Sequence, residues 1–91
     1  MIYTIEFSKD AEKIVSKYKK SNPIAYKKLS LLLNEIAVQP RTGTGHPEPL
    51  TKGNEVTYSR RISAKDRIIY DVYDDTVIVF VISVGGHYKD K

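Results

Sequence analysis

The chain has 91 residues, which we expect to form one domain over residues 1–91 with a modest hydrophobic core. Its hydrophobic fraction of 41% excludes a disordered chain, and the absence of cysteine excludes disulfides and thiolate-bound metal ions. The formal net charge is +4, and the longest apolar stretch, residues 77–82, is too short to cross a bilayer, so we expect a cytoplasmic protein without a signal peptide or a membrane span.

A strand and two helices are predicted for the first part of the chain. Residues 2–7 alternate as in a strand, which is followed by Ser8 as a suitable N-cap. Asn22 and Pro23 provide the N-cap and the first residue of a second helix. Apolar residues recur at helical spacing in both segments: Ala11, Ile14, Val15 and Tyr18 in the first, and Leu29, Leu32, Leu33 and Ile36 in the second. We expect the two helices to form a hairpin.

Residues 39–49 form a long polar connection rich in proline, glycine and threonine, and loops of this length often carry function. Three strand-like runs follow at residues 55–62, 67–73 and 76–84, the last two joined by a turn at Asp74 and Asp75. The order β-α-α-β-β-β predicts an α+β domain. Its two N-terminal helices should pack on one face of a largely antiparallel sheet of four to five strands.

Strand alternation suggests a candidate site on the face of the sheet that the helices leave uncovered. If Ile68 and Tyr70 face the helices, Arg67 faces the other side, and the same parity places Arg61 there from the preceding strand. Arg60 then points away from Arg61, and we interpret it as a cation at the strand edge or facing a partner protein. The excess positive charge of residues 1–45 either is a solvated lysine face or attracts a polyanion.

The residues allow one chemically complete reaction, the cleavage of RNA without a metal ion or other cofactor. Glu48, held between two prolines, could take a proton from a 2′-hydroxyl, and His87 could protonate the leaving oxygen. Arg61 and Arg67 could clamp the phosphate between them. Structural alternatives stay open: Glu48 as an exposed loop carboxylate, Arg67 as a partner of Asp71, and the tyrosines at 58 and 88 as packing residues rather than stacking surfaces for a base.

Four motifs in order carry a family resemblance. They are the loop Gly43-Thr44-Gly45-His46-Pro47-Glu48-Pro49-Leu50, the segment Tyr58-Ser59-Arg60-Arg61-Ile62, the segment Asp66-Arg67-Ile68-Ile69-Tyr70, and the pair His87-Tyr88. Together they resemble the YoeB branch, with its Txe relatives, of the RelE toxin superfamily. The resemblance implies a RelE-like fold and a ribosome-dependent messenger RNA interferase of a type II toxin–antitoxin pair.

The resemblance also implies roles for individual residues. Glu48 matches the family's general base, His87 its general acid, and Arg67 the arginine that stabilises the transition state. Arg61 matches the phosphate-binding arginine, and Tyr88 the tyrosine that shapes the site. The implied products carry a 2′,3′-cyclic phosphate and a 5′-hydroxyl. The implied partners are a YefM-like antitoxin, the 70S ribosome with its messenger RNA, and a second copy of the chain, with operator DNA bound only through the antitoxin complex.

Three departures from the family pattern bear on substrate binding. Thr51 stands where the family has lysine, so either Lys52 substitutes for that lysine or one phosphate contact is missing. Tyr58 replaces a tryptophan and offers a smaller stacking surface to a base. The approach to the His-Tyr pair through residues 83–86 is longer than in the family, and two glycines give the acid more freedom.

Two other functions fit parts of the sequence. A ParE-like toxin would share the fold but would inhibit DNA gyrase by binding, and the presence of both Glu48 and His87 argues against it. A plain nucleic-acid-binding module would use the lysine face alone, and its binding would weaken with salt and be indifferent to changes at Glu48 and His87.

Overall fold

The structure is a computed structural model that describes residues 2–50 and 56–86. Lys52, His87 and Tyr88 lie outside the described residues, so the roles predicted for them remain predictions. The elements in chain order are β1 (Thr4–Phe7), α1 (Lys9–Ser21), α2 (Pro23–Val38), β2 (Glu48–Pro49), β3 (Thr57–Arg61), β4 (Arg67–Tyr73) and β5 (Ile78–Gly85). No helix within the described ranges is long and apolar enough to cross a membrane.

Both predicted helix starts are confirmed by their capping hydrogen bonds. The Ser8 hydroxyl accepts a hydrogen bond from the Ala11 N–H at 3.0 Å, which satisfies one of the free donors of the first turn of α1. The same hydroxyl donates to the Ile82 carbonyl at 2.7 Å and so ties the start of α1 to β5. Asn22 caps α2 in the same way, because its side-chain oxygen accepts from the Ala25 N–H at 3.2 Å.

The sheet has five strands in the order β1-β5-β4-β3-β2. β1 runs parallel to β5 and the other pairs are antiparallel, so the predicted α+β fold with a largely antiparallel sheet is confirmed. β2 is a two-residue edge strand within the segment that the sequence suggested to be a loop. Proline lacks a backbone N–H and is tolerated at a sheet edge, which is consistent with a short edge strand that follows Pro47 and contains Pro49.

The hydrophobic core lies between the two helices and one face of the sheet. As predicted, Ile68, Tyr70 and Val72 of β4 point into it and are each at most 2% exposed. In β5 an irregularity opposite Ile69 and Tyr70 inserts an extra residue, so that Val79, Val81 and Val84 all reach the core despite their uneven spacing. β5 begins at Ile78, two residues later than predicted, because Val77 has a φ of 55° and belongs to the turn.

Candidate active site

The sheet register brings three of the predicted site residues onto the face that the helices do not cover. Arg61 of β3 lies directly opposite Arg67 of β4, and Glu48 of β2 lies directly opposite Ser59 of β3. Residues directly opposite each other in a sheet share a face, and so do residues two apart along one strand. Glu48, Ser59, Arg61 and Arg67 therefore form one group, which we call the open-face cluster. The face predicted for the two arginines is confirmed.

Within the open-face cluster, Arg67 reaches toward β2. Its Nη1 donates a hydrogen bond to the Ser59 hydroxyl at 3.2 Å, so the guanidinium lies over β3. Ser59 is the cross-strand partner of Glu48, so the Cβ atoms of these two residues lie about 5 Å apart on the same face. Glu48 and Arg67 therefore both adjoin Ser59 on the same face of the sheet.

The charges of the open-face cluster do not neutralise one another. Among the described residues the ion pairs are Arg41–Asp74 and Arg60–Glu35, and neither involves the cluster. The alternative in which Arg67 pairs with Asp71 is not seen, because Asp71 accepts hydrogen bonds from the Thr57 hydroxyl at 2.6 Å and from the Tyr73 hydroxyl at 2.8 Å. Glu48, Arg61 and Arg67 are all exposed and accessible to a ligand.

A cavity of about 280 Å³ adjoins the cluster. Its walls are Leu50, Ser59, Lys65, Arg67, Ile69, Gly85 and Gly86. Ile69 is 1% exposed although it points away from the helices, so this side of the sheet has a small apolar floor. Gly86, the residue before His87 in the sequence, forms part of the wall of this cavity.

Two residues of this region were not identified from the sequence. Ser59 holds Arg67, and the alternation with Arg61 was a signal that could have revealed it. Lys65 contributes a further cation beside Arg67, but it lies in a tight turn where no periodic pattern marks it. That turn is stabilised by the Ser63 hydroxyl, which accepts from the Asp66 N–H at 3.1 Å.

A second cavity, of about 420 Å³, lies on the other side of the C-terminal end of β5. Its wall includes Tyr18, Asp66, Gly85 and Gly86. Burial raises the pKa of the Tyr18 hydroxyl, and the neighbouring Asp66 carboxylate raises it further. Tyr18 therefore stays protonated and can donate a hydrogen bond across the physiological range. The two cavities flank the glycine pair that leads to His87.

Tyr58, predicted to bind substrate, lies on the helix-facing side of β3 and is only 7% exposed. Its ring stacks on that of Tyr70, with 6.2 Å between centroids and 22° between planes. The Arg41 guanidinium carbon lies 5.8 Å from the centroid of the Tyr58 ring. This position supports the packing alternative for Tyr58 over the stacking role, because a base on the open face cannot reach a ring on the other side of the sheet.

The interpretation of Arg60 as a cation at the strand edge or facing an antitoxin is wrong. The alternation predicted for β3 was correct, since the Arg60 side chain points away from that of Arg61. The face to which Arg60 points is covered by α2 and the polar loop, and Arg60 is 0% exposed. Burial of a charge is tolerated only when it is paired and fully hydrogen-bonded. Arg60 meets this requirement through Glu35, at 2.8 Å, and through the polar loop that begins at Gln39.

The residues of the open-face cluster could perform acid–base chemistry on a phosphodiester. They provide a carboxylate as a proton acceptor and two guanidinium groups for a pentavalent phosphate. The part of the chain that the structure describes contains no group of three or more His, Cys, Asp or Glu side chains placed to hold a metal ion.

A family model described as a YoeB-like toxin of a bacterial type II toxin–antitoxin system matches residues 7–88. Among curated relatives, Toxin YoeB of Synechocystis sp. is 36% identical over 63 residues, which cover 69% of this chain and 71% of that protein. Toxin YoeB of Escherichia coli K12 is 36% identical over 53 residues, covering 58% of this chain and 63% of the relative.

Solved structures of the same group superpose over nearly the full length. A YoeB/ParE toxin from Agrobacterium tumefaciens has a TM-score of 0.85 at 25% identity, covering 93% of this chain and 99% of its own. The YoeB dimer from Staphylococcus aureus has a TM-score of 0.82 at 29% identity, covering 97% and 100%. The YoeB–YefM complex from the same organism has a TM-score of 0.81 at 30% identity with the same coverage.

Proposed function

The chain belongs to the family of YoeB-like toxins of bacterial type II toxin–antitoxin systems, and we propose that it is a ribosome-dependent endoribonuclease that cleaves messenger RNA in the ribosomal A site and so inhibits translation. The observation that carries this proposal is the shared sheet face of Glu48, Arg61 and Arg67. A toxin that acted by binding alone would not need a carboxylate and two arginines that are exposed and unpaired with one another.

The reaction begins at Glu48. Its carboxylate takes the proton of a ribose 2′-hydroxyl, and the 2′-oxygen attacks the adjacent phosphorus. Negative charge then gathers on the phosphate oxygens, where Arg61 and Arg67 stabilise it. The bond from phosphorus to the 5′-oxygen breaks, and His87 donates the proton that this leaving oxygen needs. The products are a 2′,3′-cyclic phosphate and a 5′-hydroxyl, and no cofactor is consumed.

Arg67 is suited to the transition state because it is partly restrained before substrate binds. A guanidinium has five N–H donors, and the hydrogen bond to Ser59 uses one of them. The remaining donors can bind two phosphate oxygens at once, which is the geometry that distinguishes arginine from lysine. Restraint before binding lowers the reorganisation required as charge develops.

Neighbouring residues extend the proposed site to the rest of the RNA. The 280 Å³ cavity beside Arg67, with Lys65 on its rim and Ile69 as its floor, is a suitable place for part of a flanking nucleotide. Lys52 is proposed to supply the phosphate contact of the family lysine, and Tyr88 to shape the site next to His87. The net charge of +4 favours approach to the polyanionic ribosome.

The proposed partners follow from the family and its solved relatives. The Staphylococcus aureus relatives form a YoeB dimer and a YoeB–YefM complex. We propose that this chain likewise pairs with a YefM-like antitoxin, forms a homodimer, and contacts operator DNA only within the antitoxin complex. A cytoplasmic location is part of the same proposal, since translating ribosomes are the target.

Primer extension on messenger RNA in a translating extract tests the proposal. The wild-type protein should produce new 5′ ends within codons, and Glu48→Gln, Arg67→Ala and His87→Gln should each reduce them by about 100-fold or more, the usual effect of removing one acid–base or oxyanion group. Glu12→Gln, an exposed carboxylate in the first turn of α1, is the matched control and should cleave as wild type does. Uncut codons together with gyrase inhibition in a supercoiling assay would instead identify a ParE-like toxin.

A further inference from the structure

The buried guanidinium of Arg60 is the centre of a hydrogen-bond network beneath the loop that leads to Glu48. Two of its nitrogens donate to three carbonyls of that loop: Nη2 to Thr42 at 2.7 Å and to Gln39, and Nη1 to Thr44 at 3.2 Å. Three carbonyls within six residues thus converge on one side chain. Such convergence fixes the path of a segment that has no regular secondary structure.

Glu35 and Tyr70 complete the network. Arg60 donates through Nη1 to Glu35 Oε1 at 2.8 Å and through Nε to the Tyr70 hydroxyl at 2.9 Å, so all five N–H donors are used. The Tyr70 hydroxyl in turn donates to the Pro40 carbonyl at 2.6 Å. The Glu35 carboxylate also accepts from the Thr44 N–H at 2.8 Å. Helix α2, strand β4 and the loop are therefore joined through one side chain.

The network ends only a few residues before Glu48. The Gly45 carbonyl accepts from the Arg61 N–H at 2.7 Å, and a Cβ on Gly45 would lie 2.8 Å from the Arg61 carbonyl oxygen, so only glycine allows this approach. Between that bond and Glu48 stand only His46, whose φ of 52° is unusual for a non-glycine residue, and Pro47, whose ring fixes its φ. Little freedom remains for Glu48.

We propose that Arg60 is a positioning residue, which holds residues 39–45 from the covered side of the sheet and thereby presents Glu48 to the substrate beside Arg61 and Arg67. This inference rests on the proposed function, in which Glu48 is the general base. Arg60 cannot touch RNA bound on the open face, since its side chain is fully buried on the opposite side of β3. It acts on the reaction only through the loop.

A double-mutant cycle separates positioning from a general loss of structure. Single-turnover cleavage on programmed ribosomes is measured for wild type, Arg60→Lys, Glu48→Gln and the double variant. Arg60→Lys should lower the rate constant by about 100-fold in the wild-type background, the scale expected for a displacement of a reacting group by 1 Å. In the Glu48→Gln background the same change should cost less than about 3-fold, because there is no base left to position.

Equal losses in both backgrounds would overturn the proposal, because a general structural defect does not depend on Glu48. The concentration of toxin that half-saturates the ribosome should change less than about 2-fold in Arg60→Lys, since Arg60 contacts no RNA. A rise in that concentration with an unchanged rate constant would also contradict a positioning role.

Two further variants provide a control outside the Arg60 network and a second, milder change within it. Arg41→Lys changes the loop's other arginine, which binds Asp74 at the far end of β4, and should leave the rate within about 2-fold of wild type. Tyr70→Phe keeps the core ring but removes the hydroxyl that accepts from Arg60 and donates to Pro40, and should lower the rate about 10-fold through the loss of these two hydrogen bonds. If Arg60→Lys does not fold, the cycle is run with Tyr70→Phe in its place.

Hydrogen exchange distinguishes failure of this inference from failure of the proposed function. In Arg60→Lys the amides of Thr44 and Leu50 should exchange faster, while those in the middle of α1 should not change. Unchanged exchange at Thr44 and Leu50 would refute the role of Arg60 in holding the loop. Wild-type protein that cuts no RNA, with exchange altered as expected, would refute the nuclease while leaving the holding of the loop established.

Discussion

Arg60 and Arg61 are adjacent in sequence, yet they lie in opposite environments on the two faces of β3. Arg60 is 0% exposed and gives all five N–H donors to protein acceptors, whereas Arg61 is exposed beside Arg67. The same functional group thus holds a loop in place on one face, and on the other it is exposed and is the proposed ligand of substrate phosphate. Residue type alone therefore does not identify a candidate phosphate-binding arginine, and the face of the sheet on which the arginine lies must be known as well.

The largest expected effect is on the free energy of unfolding, which should fall much more when Arg60 is replaced than when Arg61 is replaced. Arg60→Ala should lower the free energy of unfolding by about 3 kcal/mol, at the lower end of the range for breaking a buried ion pair because Glu35 is partly exposed. Arg61→Ala should lower it by less than about 0.5 kcal/mol, as is usual for a surface side chain. Urea denaturation of the two variants measures this difference. Similar losses of stability in the two variants would show that the buried contacts of Arg60 do not stabilise the fold.

A smaller effect is expected within the open-face cluster. Ser59→Ala removes the hydroxyl that holds Arg67, and the cleavage rate should fall about 5-fold, which corresponds to about 1 kcal/mol for one hydrogen bond. The half-saturating concentration should stay constant, because Arg67 itself remains available to the phosphate. Single-turnover kinetics on programmed ribosomes provide the measurement, and a rate equal to that of wild type would show that Arg67 needs no support from Ser59.

The smallest expected effect concerns Asp74, at the end of the sheet away from the cluster. Hydrogen bonds from Tyr3 and Arg41 hold the pKa of its carboxyl below the usual value of 3.8. Since the folded pKa is the lower one, the stabilisation from Asp74 is present above that usual value and is lost as the pH falls through the folded pKa. The Tm difference between wild type and Asp74→Asn should therefore be present at pH 7 and disappear in strong acid. A Tm difference that persists in strong acid would show that the stabilisation does not come from the ionised carboxylate of Asp74.

Much of the fold follows from local signals in the sequence. Ser8 and Asn22 start helices because their side chains can accept from free N–H groups, and this requires no distant partner. The alternation of β4 places Ile68 and Tyr70 on one side and Arg67 on the other for the same local reason. The motifs around Glu48, Arg61 and Arg67 also identified the family. The predicted roles of Lys52, His87 and Tyr88 remain predictions.

Other features required contacts between segments distant in sequence. The pairing of β2 with β3, which sets Glu48 opposite Ser59, depends on a register that a strand of two residues, Glu48 and Pro49, does not encode. Tyr58 was assigned to the substrate because it stands where the family has a tryptophan, and only the tertiary structure shows its ring stacked on Tyr70 with the Arg41 guanidinium nearby.

Both helices, four of the five strands and the alternation that separates Arg60 from Arg61 are thus predictable from the sequence alone. Which groups cover each arginine depends on contacts between segments that are distant in sequence. A charged side chain is normally assigned to solvent because its desolvation is costly, and that cost is offset for Arg60 only where Glu35, Tyr70 and three loop carbonyls meet it. Those acceptors lie between positions 35 and 70, and no local sequence pattern predicts that they surround one side chain.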